Sequence, residues 1–269
     1  MARSRLIRRV AARALPASMG HEHPPVIRPV QTMGLDFSNP LGLAAGFDRT
    51  GCLLPTLASL GFGHVEVGTI TRGTTGVRLA TARRPRLRVG VNIGSARRGL
   101  DDKVIDDYVA AFERVCDQAD YVAVNLSSPC LERSGDTPGV DSLVGRLGEA
   151  WAGHCAETGH RVPLLIKLAC GAPGTPLPAA ITAVRRHKLS GVVLVSSSLA
   201  QIATVCTYLE GAAMISVGGV ASAADVAARL AAGAGLVQIH SMLVRDGPDS
   251  PRRILAALQK EQVRSVPLR

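Results

Sequence analysis

Short apolar runs alternate with segments of helical periodicity along almost the whole chain after residue 28. The apolar runs are rich in branched and small residues, which is typical of strands buried on both faces of a parallel sheet. We predict eight such strands, near residues 40–45, 64–69, 88–93, 120–125, 163–168, 190–195, 213–217 and 235–239. Eight parallel strands predict a closed (β/α)8 TIM barrel of the α/β class and not an open sheet.

Amphipathic segments fill most of the gaps between these strands. They predict helices at 52–60, 104–118, 140–157, 176–187, 198–209, 222–232 and 250–261. Residues 71–87 show little amphipathic pattern, although they are long enough to connect two parallel strands. The chain has 269 residues, close to the roughly 250 of one barrel. We therefore predict a single barrel domain over 28–269, preceded by a short arm over 1–27.

The arm is strongly basic. The chain carries a net charge of +10, and five arginines precede its first acidic residue, Glu22. Leucine, isoleucine, valine and alanine recur between these arginines at helical spacing, as in a helix lying on an anionic membrane or in a targeting peptide. A frayed basic tail fits the same residues. Aromatic residues make up only 3% of the chain, so the base-stacking surface needed to bind single-stranded nucleic acid is not expected.

Metal binding finds little support in local spacing. The six cysteines form no CxxC pair and no zinc-ligand spacing, and they predict free thiols in a reducing compartment. His21 and His23 flank Glu22, but two prolines follow them, and solvated side chains are expected there. We predict no metal site.

Small and hydrogen-bonding residues follow each predicted strand. A barrel brings these strand ends to one face, where they can line the pocket of a polar ligand. Asn125, Ser127 and Ser128 end the fourth strand, although a turn or helix cap would use the same residue types. Gly218-Gly219 and His240-Ser241 follow the seventh and eighth strands, where barrels commonly bind phosphate.

Lys167 lies inside the apolar fifth strand. Burying an unpaired ammonium there would be costly, so Lys167 should have an anionic or electron-rich partner.

Six motifs together resemble dihydroorotate dehydrogenases, and most closely their quinone-linked class 2. They are NPLGLAAGFD at 39–48, GFGHVEVGT at 61–69, NIG at 92–94, NLSSP at 125–129, VGG at 217–219 and GAGLVQIHS at 233–241. The resemblance runs from about residue 28 to the C-terminus in the family's order. It implies an enzyme that oxidises dihydroorotate to orotate, transfers hydride to FMN and passes electrons on to quinone.

The resemblance also implies roles for individual residues. The catalytic base would be Ser128, and the substrate would contact Arg49, Asn125, Ser196 and Ser197. Contacts to the FMN ring and ribityl chain would come from Ala45, Gly46, Thr69, Asn92, Asn125 and Lys167. The FMN phosphate would be held by Gly219, His240 and Ser241.

Departures from the family pattern cluster on the substrate side. Arg49 replaces the family's lysine, Cys130 replaces an asparagine, and Ser196, Ser197 and Ser198 replace a Thr-Asn-Thr-Thr element. A substrate-clasping segment between the second and third strands and a glycine-rich segment before the seventh strand are absent. Buried polar groups left unpaired discriminate strongly between substrates. An altered substrate is therefore one alternative.

Two alternatives to the family activity remain. One is an FMN oxidoreductase acting on another small ring, and the other is a catalytically inert barrel that serves as a binding or scaffold protein. For the family activity, the expected partners are a small-molecule substrate and a quinone at a membrane surface. The expected location is the cytoplasm or a peripheral position on the inner face of the membrane.

Overall fold

The computed structural model describes residue 27 and residues 29–79, 87–127, 137–170 and 174–264. Ser128, Cys130, His21, His23 and nearly all of the predicted arm lie outside the described residues. Ile27, assigned to the arm from the sequence, is buried and packs in the core.

Eight parallel strands close into one barrel, as the apolar runs predicted. They are β3 (Leu41–Leu43), β4 (His64–Ile70), β5 (Arg88–Ile93), β6 (Tyr121–Asn125), β7 (Leu164–Ala169), β8 (Gly191–Val195), β9 (Ala213–Val217) and β10 (Leu236–Ile239). Each strand pairs with its neighbour in chain order, and β10 pairs with β3 to complete the ring. The predicted strand ends therefore share one face of the molecule.

Side chains of successive strand residues alternate between the barrel interior and the surrounding helices. Tyr121 and Ala123 of β6 belong to the interior cluster, whereas Val122 and Val124 belong to the larger core outside the barrel. This alternation follows from the two-residue period of a strand. The interior is narrow: a Cβ at Gly90 would collide with the Tyr121 ring. Glycine at this position makes room for a large aromatic side chain inside the barrel.

The described helices cover the outside of the barrel. They are α1 (Leu54–Ala58), α2 (Asp102–Val115), α3 (Thr137–Thr158), α4 (Ala179–Arg186), α5 (Leu199–Leu209), α6 (Ala223–Ala231), α7 (Ser241–Asp246) and α8 (Ser250–Arg264). All seven predicted helices are present, with boundaries shifted by a few residues. Side chains of Asp101, Ser198 and Ser222 accept hydrogen bonds from backbone N–H groups and so cap α2, α5 and α6.

Two features were not predicted. The six-residue helix α7 follows β10 directly, and a hairpin of β1 (Val30–Thr32) and β2 (Leu35–Phe37) precedes the barrel. Met33 and Gly34 form its turn, both with positive φ, as two-residue hairpin turns require. Phe37 of β2 packs edge-on against the ring of His64, with centroids 5.6 Å apart. The hairpin thereby closes the amino-terminal end of the barrel.

Candidate active site

Arg49 lies on a loop after β3 that a single carboxylate organises. Asp48 is 3% exposed. Its Oδ1 accepts hydrogen bonds from the backbone N–H groups of Thr50 (3.2 Å) and Gly51 (2.9 Å), and its Oδ2 accepts one from Leu53 (2.8 Å). These contacts hold the loop, and Arg49 projects from it as an exposed side chain. Within the described part of the chain, Arg49 forms no ion pair.

Three predicted cofactor residues meet at the ends of β4, β5 and β6. Thr69 Oγ1 donates to Asn92 Oδ1 (2.9 Å), and Asn125 Nδ2 donates to Thr69 Oγ1 (3.4 Å). Asn92 is fully buried, and its Nδ2 has no hydrogen-bond partner among the described residues. A buried amide donor without a partner is costly, so this atom is available to an acceptor on a bound molecule.

A cavity of about 320 Å³ opens at these strand ends. It is lined by Gly46, Arg49, Gly68, Thr69, Thr71, Gly94, Ser95, Tyr108 and Asn125. The lining therefore combines one cation, hydroxyl and amide groups, and glycine backbone that a flat ligand can approach closely. The cavity brings together four residues predicted for the site: Gly46, Arg49, Thr69 and Asn125.

Lys167 has the anionic partner that its buried position predicted. Its Nζ donates to Glu66 Oε2 at 2.8 Å inside the barrel. Glu66 Oε1 accepts from Gln238 Nε2 (2.8 Å) and from the Tyr121 hydroxyl (3.4 Å). Burial alone would raise the pKa of Glu66, but the Lys167 ammonium and the hydrogen bonds from Lys167 and Gln238 outweigh it and lower that pKa. The Glu66 side chain is thus a buried carboxylate with both oxygens satisfied.

Glu66 was not predicted as a site residue. The signal was present, because a carboxylate in the apolar strand at 64–70 requires a partner for the same reason as a lysine in the strand at 164–169. What the sequence could not show is that these two strands place the two charges on facing walls of the barrel. They lie 101 residues apart along the chain.

A second unpredicted residue, Arg229 of α6, supports the loops after β8 and β9. Its guanidinium is almost fully buried and donates to the carbonyl oxygens of Gly218 (2.6 Å) and Ser196 (3.2 Å). Gly218 and Gly219 both have positive φ, a conformation that favours glycine. Arg229 therefore links the predicted phosphate loop to the predicted substrate loop.

Ser196 and Ser198 lie directly before α5. The Ser196 hydroxyl donates to Gln201 Oε1 (2.6 Å) and accepts from the Ser198 backbone (3.0 Å), while Ser198 caps the helix. Neither Ser196 nor Ser197 lines the cavity around Arg49. Substrate contact through these serines stays a prediction.

The remaining predicted residues lie near this face or outside the described part of the chain. His240 precedes α7 and Ser241 begins it, while Ala45 directly precedes Gly46 of the cavity wall. Ser128 is not described, but Ser127, next to it, binds Asn125 Oδ1 through its backbone N–H (3.1 Å) and its hydroxyl (2.7 Å). The chain segment that leads to Ser128 is therefore tied to the cavity residue Asn125.

Within the described residues, no helix has both the length and the apolar character needed to cross a bilayer.

Comparison with known proteins points to one family. A family model described as "Dihydroorotate dehydrogenase" matches residues 179–261. The dihydroorotate dehydrogenase (quinone) of Flavobacterium lutescens is 31% identical over an aligned length of 286 positions, gaps included, and the match covers 83% of this chain and 82% of that protein. The corresponding protein of Alkalilimnicola ehrlichii is 32% identical over an aligned length of 303 positions, and the match covers 90% of this chain and 88% of that protein.

Solved structures share the fold. DHODH from Eimeria tenella in complex with ferulenol superposes with a TM-score of 0.78 at 21% identity, covering 98% of this chain and 91% of that one. The ligand-free enzyme from the same organism also gives a TM-score of 0.78, at 22% identity, covering 98% and 95%.

Proposed function

Because the chain belongs to the dihydroorotate dehydrogenase family, we propose that it oxidises dihydroorotate to orotate with bound FMN and passes the electrons to a quinone. The observation that carries the proposal is the cavity at the strand ends, with Arg49, Thr69 and Asn125 in its wall. Its cation suits a carboxylate substrate, and its amides and hydroxyls suit a heteroaromatic ring. The two quinone-linked relatives support the same reaction over a different ring substrate or an inert barrel.

The residues at the cavity fit FMN on two counts. The Nδ2 donor of Asn92 is buried without a partner, and the isoalloxazine ring of FMN presents acceptor atoms along its pyrimidine edge. Gly46, Gly68 and Gly94 leave bare backbone on the cavity wall. A flat ring can therefore approach the backbone at the strand ends.

We propose that Ala45, Gly46, Thr69, Asn92, Asn125 and Lys167 hold the ring and ribityl chain. Gly219, His240 and Ser241 would hold the phosphate. When bound, FMN supplies the acceptor for the hydride that leaves C6 of dihydroorotate. Glu66 fixes the Lys167 ammonium inside the barrel, and a cation near the bound ring would favour negative charge on it.

On the substrate side, Arg49 would bind the carboxylate of dihydroorotate, and Asn125 would donate to the ring. Ser196 and Ser197 are proposed as further contacts. Ser128 Oγ would remove the C5 proton as the base. A neutral serine is a weak base, so its contribution depends on being held close to C5 by the segment anchored at Asn125.

The function is tested by anaerobic titration of the purified protein with dihydroorotate. We expect a bound flavin whose visible absorption bleaches in proportion to added dihydroorotate, and whose colour returns when a quinone is added. Orotate, which cannot donate hydride, serves as the control and should leave the flavin oxidised. A flavin that stays oxidised with dihydroorotate would favour a different ring substrate, and a protein purified without flavin would favour the inert barrel.

Replacing Arg49 with alanine should raise the KM for dihydroorotate. A hydrogen bond to a charged group contributes about 1.5–3 kcal/mol, which corresponds to a rise of roughly 10- to 150-fold. Arg49→Lys should retain most of the affinity because it keeps the cation. Arg146→Ala removes an equal charge from an exposed position on α3 and serves as the matched control. Steady-state kinetics of the wild-type protein and the three variants measure the KM for dihydroorotate. Equal KM values for Arg49→Ala and Arg146→Ala would exclude this contact.

A quinone acceptor implies work at a membrane surface, because such quinones dissolve in lipid. We propose a peripheral association in which the basic arm over 1–27 contacts anionic headgroups. Sedimentation of the full chain with vesicles containing anionic or only zwitterionic lipids tests it. Association is expected with the anionic vesicles alone and should weaken as salt is raised, whereas equal recovery with both vesicle types would contradict a role for the basic arm.

A further inference from the structure

Three metal-ligating side chains meet between α2 and α3, away from the cavity. Cys116 directly follows α2 as its C-terminal cap residue, Asp117 comes next, and His154 lies near the end of α3. The Sγ atom of Cys116 lies 3.5 Å from His154 Nδ1, and that nitrogen lies 3.8 Å from Asp117 Oδ1. One ligand atom from each residue lies within 4.8 Å of the others.

These distances are close to the edges of a zinc coordination tetrahedron. Zinc–sulfur bonds of about 2.3 Å and zinc–nitrogen bonds of about 2.0–2.1 Å give a sulfur–nitrogen edge of roughly 3.5–3.6 Å. The observed separation of Cys116 Sγ and His154 Nδ1 is 3.5 Å. The nitrogen–oxygen edge should be roughly 3.3–3.4 Å, so the Asp117 carboxylate, whose Oδ1 lies 3.8 Å from His154 Nδ1, needs to move closer. Its side chain is 72% exposed and can do so.

The surroundings hold the ligands in place and favour a cation. The buried Phe112 packs edge-on against the His154 ring, with centroids 6.3 Å apart, which restrains that ring. His154 Nε2 is buried without a hydrogen-bond partner among the described residues. The other ring nitrogen, Nδ1, is the one that faces Cys116 and Asp117. Cys116 directly follows α2, and His154 lies within five residues of the end of α3. Both helix C-termini carry partial negative charge, which stabilises a cation nearby.

We propose that Cys116, Asp117 and His154 bind a zinc ion that joins α2 to α3. A thiolate, an imidazole and a carboxylate are each ligands that zinc accepts in proteins. Three protein ligands leave the fourth position of the tetrahedron for a water molecule, and the Asp117 side chain is 72% exposed. The C-terminal ends of the helices of a barrel lie on the face opposite the strand C-termini, so this zinc stabilises the fold and takes no part in the oxidation.

Cobalt substitution tests the site without any readout of enzyme activity. The untagged full chain, stripped of metal with a chelator, is titrated with Co²⁺. We expect one equivalent to bind with a thiolate-to-cobalt charge-transfer band and the intense visible bands of four-coordinate cobalt, and stoichiometric Zn²⁺ to abolish both. Any cobalt bound by His21 and His23 lacks a thiolate and gives no charge-transfer band. Absence of that band from the wild-type protein would overturn the proposal.

Matched variants assign the ligands. Cys116→Ala should lose the charge-transfer band, whereas Cys155→Ala, which removes the thiol next to His154, should keep it. Asp117→Ala alters an exposed side chain and should fold even if Cys116→Ala does not. Losing one ligand should weaken cobalt binding by more than the roughly 10- to 100-fold typical of losing an outer-shell partner. A band that persists in Cys116→Ala, or cobalt affinity unchanged in Asp117→Ala, would contradict the assignment.

Zinc should also stabilise the protein. Its addition is expected to raise the thermal unfolding midpoint of the metal-free wild-type chain and of Cys155→Ala, because zinc binds the folded site more tightly than the unfolded chain. The same addition should leave the midpoint of His154→Ala unchanged. An equal rise in His154→Ala would show that zinc acts elsewhere in the chain.

Discussion

Replacing Lys167 with methionine is expected to lower the free energy of unfolding by about 3–5 kcal/mol, because it leaves the Glu66 carboxylate buried without its cation. Lys167 Nζ and Glu66 Oε2 are 2.8 Å apart, and their side chains are 9% and 0% exposed. The remaining hydrogen bonds from Gln238 and Tyr121 cannot neutralise the carboxylate. Urea denaturation at pH 7, compared with the wild-type protein under the same conditions, measures the change.

A double variant separates the lost ion pair from lost packing. Lys167→Met combined with Glu66→Gln removes both charges, and we expect it to regain most of the stability, since no unpaired charge is then buried. Arg146→Met breaks an exposed ion pair with Asp106 and should change the stability little. A double variant as unstable as Lys167→Met alone would show that packing, and not the unpaired charge, causes the loss.

Acidification from pH 7 to pH 5 is expected to cost about 2 kcal/mol of stability through His64 alone. His64 is fully buried at the start of β4, and burial, only partly offset by the Glu66 charge, lowers its pKa from 6.5 to about 4. The unfolded chain therefore binds a proton at this residue between pH 6.5 and about pH 4, while the folded chain does not. Stability from His64 is present above pH 6.5 and falls as the pH drops through this window.

His64→Leu should flatten the pH dependence in that window, because leucine fills a similar volume and does not titrate. The lowered pKa of Glu66 acts in the same direction, but its contribution is lost at lower pH, below the ordinary value of 4.5. Unfolding free energies at pH 7, 6 and 5 for both proteins provide the test. Parallel curves would mean that His64 is protonated in the folded protein or does not control acid stability.

The barrel could be predicted from the sequence because its signals are local. Strands covered on both faces need continuous apolar residues, and the crossover helices need an apolar stripe, so each element carries its own pattern. The six-residue helix α7 and the three-residue strands of the hairpin at 30–37 are too short to show a period. The hairpin covers the amino-terminal end of the barrel by packing Phe37 against His64, and this packing also depends on contacts between separate elements.

Some residues of the candidate site could likewise be predicted from the sequence, and others could not. Polar strand ends such as Thr69, Asn92 and Asn125 were identifiable because a parallel barrel brings the ends of its strands to one face. Other contacts of the site could not be identified from the sequence. Asp48 accepts three backbone hydrogen bonds, and Arg229 donates to the carbonyl oxygens of Gly218 and Ser196. These contacts depend on side-chain positions that no spacing rule describes.

By itself the sequence determined the barrel, the order of its strands, the family and the residues expected at the strand ends, including a need for an anionic partner at Lys167. Only the tertiary structure decided that this partner is Glu66, that His64 is buried beside it, and that Cys116 and Asp117 meet His154 across 38 residues of chain. The physical reason is the separation along the chain over which each kind of signal acts. Propensity and hydrophobic period act between residues a few positions apart, whereas ion pairs and metal ligands are selected by distance in space.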